Sequence, residues 1–248
     1  MICAAMACNA IVMPYLGLHH DARLYAAQTV ERVAPGSFSS DLYLAFGSQD
    51  RYSVFSLAAE PLVRVFGLGD GFFVIYLLSK GFFFWAAHRF VVTLTKDTDA
   101  GSVSLFALAV LPLDFGGCNV FQVNESFLTP RIAATALVLL GLERVLVGRV
   151  LAALLILGVA LLVHPLQAAG GLGIAISSWF SSHLSARRAC WCLVFLLLVI
   201  GGLFAYPPLG TRAFERLDEE WHQVILNTCF FIQPSEWSVA DWSRIGSG

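Results

Sequence analysis

The sequence predicts an all-α integral membrane protein, a bundle of about seven transmembrane helices. Of its 248 residues 58% are apolar and 13% are charged, and the mean hydropathy is +0.74. A soluble domain carries roughly 45–50% apolar and about 25% charged residues, so the apolar excess is larger than one globular core could bury. The composition excludes a soluble enzyme and a disordered chain, and the net charge of −2 argues against a nucleic-acid-binding surface.

The apolar residues form long runs, and a helix needs about 20 of them to cross a bilayer core of about 30 Å. The predicted spans are residues 1–18, 69–95, 102–117, 129–147, two helices within 149–182, and 189–206. The run 149–182 is too long for one crossing and is interrupted by His164-Pro165. Because proline stops a helix that precedes it, we predict that the chain folds back at this corner.

Basic residues in short loops indicate the orientation of the bundle. Lys96 and the tight connections at 144–149 and 184–188 are basic, which assigns them to the cytoplasmic side. The opposite, outer face then receives loop 18–68, residues 114–128, the His164-Pro165 corner and the tail 207–248. Most of the polar side chains are therefore expected on one face of the membrane.

Within the first outer loop, residues 53–66 predict a helix that lies in the membrane interface. Ser53, Ser56, Glu60 and Arg64 recur at helical spacing with apolar residues elsewhere, a pattern typical of interfacial helices. Glu60 and Arg64 form an i,i+4 pair in the favourable order. Pro61 predicts a bend or a late start of this helix.

Two regions follow from this organisation: a helical bundle over 1–206 and an outer-face polar tail over 207–248. Trp221, Trp237 and Trp242 in the tail are typical of contact with lipid headgroups. The last residues look like the start of another element, so we expect a missing carboxy-terminal part. Cys118 and Cys229 fall in two outer segments and are a candidate pair if those segments share an oxidising compartment.

Asp21 is the first candidate for chemistry, since it directly follows the first span and sits in the sequence His20-Asp21 with Tyr25 one helical turn later. A carboxylate at the membrane surface can act as a general base toward a water-borne acceptor. The alternative is that Asp21 only caps a helix over 22–33. No metal site is predicted at His19-His20, because adjacent residues on a helix diverge by about 100°.

Asp50 is interpreted either as a turn and capping residue or as a contact for a polar head group. Arg131 follows Thr129 and Pro130, which predict a helix start; in the first helical turn it can bind phosphate or extend to the interface. His164 either caps the next helix or contacts substrate.

Lys80 lies inside the second predicted span. A charge at such a position indicates an ion pathway, with Asp114 or Glu125 as the partner of Lys80. The alternative is that the lysine side chain extends to the membrane interface.

This layout resembles the GT-C superfamily, polytopic glycosyltransferases that take sugars from polyprenyl-phosphate or polyprenyl-diphosphate carriers. The resemblance covers residues 1–206 and is carried by Asp21 after the first span, the helix 53–66 and the His164-Pro165 corner. The sequence Phe127-Leu128-Thr129-Pro130-Arg131 before an alanine- and leucine-rich helix is similar to uncharacterised bacterial members. The resemblance implies that Asp21 is the catalytic base or binds the acceptor and that Arg131 lies near the carrier phosphate. The paired acids of many members are absent, since His20 and Ala22 flank Asp21.

The expected function is transfer of a sugar from a polyprenyl-phosphate-linked donor to an acceptor at the outer, periplasmic face of a bacterial inner membrane. Asp21 would remove the acceptor's proton and Arg131 would bind the carrier phosphate. The substrate-binding residues are expected to be His20, Tyr25, Asp50, Arg131 and His164. No cofactor is required, although a divalent cation is compatible with this chemistry, and the partners are membrane lipid and the lipid-linked donor.

Two other classes remain open: a transporter or channel that uses Lys80, and a non-catalytic membrane scaffold that docks through its tail. A lateral groove beside Asp21 would favour the transferase. A central aqueous path past Lys80 would favour transport, and the absence of both would favour the scaffold. The proximity of Arg131 and His164 to Asp21 is the geometry that matters most for the enzyme hypothesis.

Overall fold

A computed structural model describes residues 1–115, 121–183, 219–228, 235 and 237–247. Over these residues the regular elements are helices and one two-stranded ladder, which confirms the predicted all-α class. The helices are α1 (Ile2–Val12), α2 (Ala22–Val33), α3 (Phe55–Phe66), α4 (Leu68–Thr95), α5 (Thr98–Val110), α6 (Pro130–Leu146), α7 (Val150–Val163), α8 (Pro165–His183), α9 (Glu219–Thr228) and α10 (Val239–Ser247). A π-helical turn (Tyr43–Gly47) and a 3₁₀ turn (Gln49–Arg51) lie between α2 and α3.

The chain divides into two compact units, Met1–Leu113 with Val123–Trp179 and Asp114–Gln122 with Phe180–Gly248. In the first unit α4 packs against α1, α3, α5 and α6, while α6 also packs against α7. Phe72, Phe83 and Phe84 of α4 are fully buried, together with Leu105 and Leu128. Burial of a phenylalanine stabilises a fold by roughly 1.5–3 kcal/mol, so α4 supplies much of this core.

Several predicted boundaries are confirmed. Helix α6 begins at Pro130, with Thr129 at its N-cap position, and helices α2 and α4 match the predicted 22–33 and 69–95. Helices α7 and α8 meet at His164-Pro165. A Cβ on Gly171 would lie 2.8 Å from Val138 and 3.0 Å from Leu157, so α8 returns close to α6 and α7, as the predicted fold-back requires.

Two predicted spans are wrong in extent. Helix α1 ends at Val12 rather than Leu18, because Pro14 disfavours a helical conformation at Met13. Helix α5 begins earlier than residue 102, where Asp97 Oδ1 accepts hydrogen bonds from the backbone of Asp99 and Ala100. It ends at Val110, ahead of Pro112, instead of reaching residue 117.

Only α4, among the described residues, is both long and apolar enough to cross a membrane. It has 28 residues, and half of its most apolar window is buried inside the protein. Helices α1, α5 and α7 are apolar but shorter than 18 residues. The predicted last span, 189–206, and the basic connection 184–188 lie outside the described residues, as do Cys118 and Cys229.

The predicted helix 53–66 begins two residues late, at Phe55, and continues through Pro61. Ser53 lies outside it and donates a hydrogen bond from Oγ to the Val163 carbonyl at 2.8 Å. The predicted pair of Glu60 and Arg64 is confirmed at 2.7 Å. The polar stripe packs toward α2, where Arg64 Nη2 donates to the Arg32 carbonyl, whereas Leu57, Val65 and Phe66 are exposed.

In the second unit, β1 (Asp114–Phe115) pairs antiparallel with β2 (Phe121–Gln122), so that Asp114 lies opposite Gln122. Helix α10 begins with a reciprocal capping arrangement. Ser238 Oγ accepts from the Asp241 N–H, while the Asp241 carboxylate accepts from Ser238. The predicted element near the chain end is therefore a helix, with the Trp237 and Trp242 rings 5.0 Å apart.

We predict that Gly71→Ala destabilises the protein by about 1–3 kcal/mol, the usual range for overpacking. A Cβ at this position would lie 3.0 Å from Val63 Cα and 3.1 Å from the Leu62 carbonyl oxygen, and backbone atoms cannot move aside as side chains do. Gly69→Ala is the matched control, since it lies in the same helix with nothing within 4 Å. Unfolding followed in one detergent measures both, and equal stabilities would contradict the close contact of α3 and α4.

Candidate active site

The candidate site is an ion-paired cluster built around Arg131 in the first turn of α6. Arg131 Nη1 donates to Asp21 Oδ2 at 2.8 Å, and Arg131 Nε donates to Glu125 Oε1 at 2.7 Å. One guanidinium therefore joins two carboxylates that come from different connecting segments. The guanidinium carries several N–H donors in a fixed plane, which suits it to hold two anions at once.

Asp21 occupies the N-cap position of α2, yet its side chain makes no capping hydrogen bond. Its carboxylate is held instead by Arg131 and by His20 Nδ1, which lies 2.9 Å from Asp21 Oδ1. Asp21 is therefore the N-cap residue by position, as the alternative interpretation predicts, but its side chain is used by the cluster and not for capping. The Asp21 side chain is 28% exposed, so it can meet a substrate that approaches from outside the cluster.

His20 has a φ of +48°, in the left-handed region that few residues other than glycine adopt. Such conformations cost of order 1–3 kcal/mol and persist where the surroundings enforce them. Here the imidazole is placed between Asp21 and the Phe127 ring, whose centroid lies 5.6 Å away. The strained backbone thus supports the contact between His20 and the carboxylate.

Glu125 is the buried partner in the cluster, with a side chain only 4% exposed. Burial raises the pKa of Glu125, while the Arg131 charge and the hydrogen bond from Thr129 act in the opposite direction. The Thr129 hydroxyl donates to Glu125 Oε2, leaving Oε1 to Arg131. The Glu125 carboxylate is buried and accepts hydrogen bonds from both Thr129 and Arg131. Glu125 is therefore the fixed partner of Arg131, and Asp21 is the accessible one.

His164 caps α8, since its Nδ1 accepts a hydrogen bond from the Gln167 backbone at 3.2 Å. This leaves the ring proton on Nε2 in the neutral form. Burial lowers the pKa of His164, and the Arg131 charge lowers it further. Gln167 Nε2 also donates to Thr135 Oγ1, which connects the start of α8 to α6 one turn beyond Arg131. The predicted capping role of His164 is confirmed, and His164 lies within electrostatic range of Arg131 and Asp21.

Tyr25 lies on α2 one turn after Asp21 and is 2% exposed. Burial raises the pKa of Tyr25; Arg131 lowers it, whereas Asp21 and Glu125 raise it. The Tyr25 ring also packs edge-on against Phe55, with centroids 5.3 Å apart. Tyr25 therefore forms part of the wall of the cluster and remains a neutral phenol near the two carboxylates.

Asp50 does not join this cluster. It accepts a hydrogen bond from Arg32 Nε at 2.8 Å and another from the Ser56 hydroxyl, near the carboxyl end of α2. Its backbone N–H donates to Ser48 Oγ, so the predicted turn role of Asp50 is confirmed. As a predicted substrate contact, Asp50 therefore belongs to a separate part of the first unit.

Lys80 is buried within α4, at 2% exposure, and so does not extend to an interface. Its Nζ donates to Asn124 Oδ1 and lies 5.2 Å from the Tyr76 ring centroid. Asn124 in turn donates to the Leu108 carbonyl at 3.0 Å. Lys80 thus holds the residue that precedes Glu125. The predicted partner Glu125 interacts with Lys80 electrostatically, but within the described chain the two form no ion pair at contact distance.

Glu125 is the one site residue that the sequence interpretation assigned elsewhere, as a partner of Lys80. The sequence signal that could have placed Glu125 in the site is its position just before Thr129-Pro130-Arg131, because the start of a helix brings such residues together.

In the part of the chain that the structure describes, no group of three His, Cys, Asp or Glu side chains could hold a metal ion. Comparisons with protein-family models, curated proteins and solved structures give no match for this chain.

Proposed function

We propose that this chain is a multi-pass membrane glycosyltransferase that transfers a sugar from a polyprenyl-phosphate-linked donor to an acceptor at the outer face of a bacterial inner membrane. The observation that supports the proposal is the ion pair between Asp21 and Arg131, which are 110 positions apart in the chain. The sequence predicts both as site residues, and His20, Tyr25 and His164 lie around the same pair. A base for the acceptor hydroxyl, a cation for the phosphate and side chains that hydrogen-bond the sugar are the groups that such a transfer uses.

The membrane part of the proposal rests on the helices and their exposed surfaces. Helix α4 has the length of a span, and α7 exposes Leu151 and Leu155 at 74% and 66%. Such large apolar side chains are unfavourable in water and favourable against lipid chains. We propose seven spans in total, with the exposed apolar side of α3 lying against the outer leaflet.

In the proposed reaction, the acceptor hydroxyl oxygen forms a bond to the anomeric carbon of the donor sugar. The bond from that carbon to the phosphate oxygen breaks, and the carrier leaves as polyprenyl phosphate with the electron pair. Asp21 accepts the hydroxyl proton and later returns it to water. Arg131 stabilises the charge that develops on the leaving phosphate, while His164 and Tyr25 orient the sugar.

Binding of the donor phosphate has to compete for Arg131. The cluster of Asp21, Glu125 and Arg131 carries two negative charges and one positive charge. An added phosphate is therefore repelled unless one carboxylate leaves its ion pair with Arg131. Asp21 is the partner that yields, since its side chain is 28% exposed and that of Glu125 is 4% exposed. The same exchange releases the Asp21 carboxylate to act as the base.

Transport through Lys80 has weaker support. A cavity of about 150 Å³ lies beside Lys80 between α1 and α4, lined mainly by apolar side chains such as Met6, Phe73 and Phe84. The hydrogen bond of Lys80 to Asn124 accounts for its burial by a structural role. We therefore propose that Lys80 helps to fix the segment before α6.

The donor class is tested by lipid binding to the full chain in nanodiscs. We expect a polyprenyl phosphate to bind at least tenfold more tightly than the polyprenol of the same chain length, because only the phosphate can engage Arg131. The two lipids share the same apolar chain, so their difference isolates the phosphate. Equal affinities would contradict the proposed function.

A further inference from the structure

A second, polar cleft lies at the other end of α2 from Asp21. It has a volume of about 230 Å³ and is bounded by α2 and the two short turns over residues 43–51. Its lining residues are Gln28, Glu31, Arg32, Leu44, Ser48 and Asp50. A space of this size equals about eight water volumes at roughly 30 Å³ each, which is room for one ring-sized ligand and too little for a folded partner.

The cleft offers hydrogen-bonding groups that the protein itself does not use. Gln28 is 2% exposed and donates from Nε2 to the Tyr43 hydroxyl at 2.8 Å, while no described residue donates to its Oε1. Arg32 bonds Asp50 and Ser56 through Nε alone, and within the described chain its two terminal nitrogens make no hydrogen bond. The Arg32 terminal nitrogens therefore favour a ligand that offers hydrogen-bond acceptors.

The charges of the cleft narrow the class of ligand. Among the lining residues that the structure describes, Glu31 and Asp50 are negative and Arg32 is positive, so these three carry a net charge of −1 and disfavour phosphates and other anions. Hydroxyl groups both donate and accept. They can therefore accept hydrogen bonds from the Arg32 terminal nitrogens. They can also donate to the remaining lone pairs of the carboxylates, whose oxygens already accept from Gly36 and Phe38 in Glu31 and from Arg32 and Ser56 in Asp50. Leu44 supplies an apolar surface for the face of a ring.

The cleft lies at a defined distance from the candidate active site. Tyr25, Gln28 and Arg32 are three and four residues apart and so share one face of α2. At 1.5 Å per residue, Gln28 and Arg32 lie about 10 and 16 Å along the helix from Asp21. A single sugar ring does not span that separation, whereas a short chain of linked rings does.

We propose that this cleft binds an internal ring of a neutral oligosaccharide acceptor whose terminal hydroxyl reaches Asp21. The inference rests on the proposed glycosyl transfer and narrows its acceptor to linked sugars. Asp50 then contributes to substrate binding as the sequence predicted, through the acceptor rather than through the donor phosphate. Single sugars are expected to bind weakly, because they occupy one end of the site at a time.

The test is saturation-transfer NMR and titration of the full chain in nanodiscs with glucose and with three neutral trisaccharides: maltotriose, cellotriose and N,N′,N″-triacetylchitotriose. At least one trisaccharide is expected to bind tenfold or more tightly than glucose. Leu44→Trp fills the cleft and should weaken that binding at least tenfold. Leu57→Trp is the matched control, since Leu57 is 54% exposed on α3 and is not a lining residue.

A second variant tests the same cleft in case Leu44→Trp does not fold. Arg32→Lys keeps a positive charge beside Asp50 but removes the unused terminal donors, and it should weaken trisaccharide binding about tenfold. The inference is overturned if no trisaccharide binds, if glucose binds as tightly, or if neither variant changes the affinity. Polyprenyl phosphate binding is measured on the same preparations, so failure of the acceptor site is distinguishable from failure of the proposed function.

Discussion

Asp21→Asn is expected to lower glycosyl transfer by about 10²–10⁴-fold, the usual contribution of a general base. The asparagine keeps the size of the side chain and still accepts a hydrogen bond from Arg131, so the connection between α2 and α6 is retained. What it loses is the ability to take a proton from the acceptor. Helical content and membrane insertion are expected to be unchanged, since Asp21 makes no capping bond in α2.

The same variant separates chemistry from donor binding. Because a neutral amide competes for Arg131 less strongly than a carboxylate, Asp21→Asn should bind polyprenyl phosphate more tightly than the unmodified protein. Asp70→Asn is the matched control, an exposed aspartate in the first turn of α4, and should change neither activity nor binding. Full transfer activity in Asp21→Asn would remove Asp21 from the mechanism.

The local structure was predictable where one residue type controls it. Pro130 at the first helical position and Pro165 after His164 each mark a boundary, and both helices begin there. The lengths of α1 and α5 were not predicted, because hydropathy continues through Pro14 and Pro112 although the helical backbone does not. Apolar composition alone overestimates a helix when a proline lies inside the run.

The candidate site was predictable in part of its members but not in its contacts. Asp21, Arg131 and His164 stand out because polar residues are rare at the ends of apolar runs. That Glu125 anchors Arg131, and that Asp50 pairs with Arg32 instead, depends on which segments pack together. Periodicity along one helix carries no information about such long-range pairing. For the same reason the sequence predicts a carboxylate partner for Lys80, whereas its hydrogen-bond partner is the amide of Asn124.

Arg131→Met is expected to destabilise the protein by about 3–5 kcal/mol, the range for removing one member of a buried ion pair. The Glu125 carboxylate is 4% exposed and would lose the charge that compensates its burial. Since Arg131 lowers the pKa of Glu125 against the effect of burial, its removal raises that pKa further. A carboxyl group whose pKa is higher in the folded state stabilises the fold while protonated and loses this contribution as the pH rises through that pKa.

The single variant should therefore be more stable in acid than at neutral pH, as measured by unfolding in one detergent at several pH values. Adding Glu125→Gln removes the buried charge, so the double variant should recover most of the lost stability and lose this pH dependence. It should still fail to bind polyprenyl phosphate, because no cation replaces Arg131. If the single and double variants are equally stable, Glu125 is not the buried anchor. Recovery of the fold without recovery of binding would show that Arg131 serves the ligand in addition to the structure.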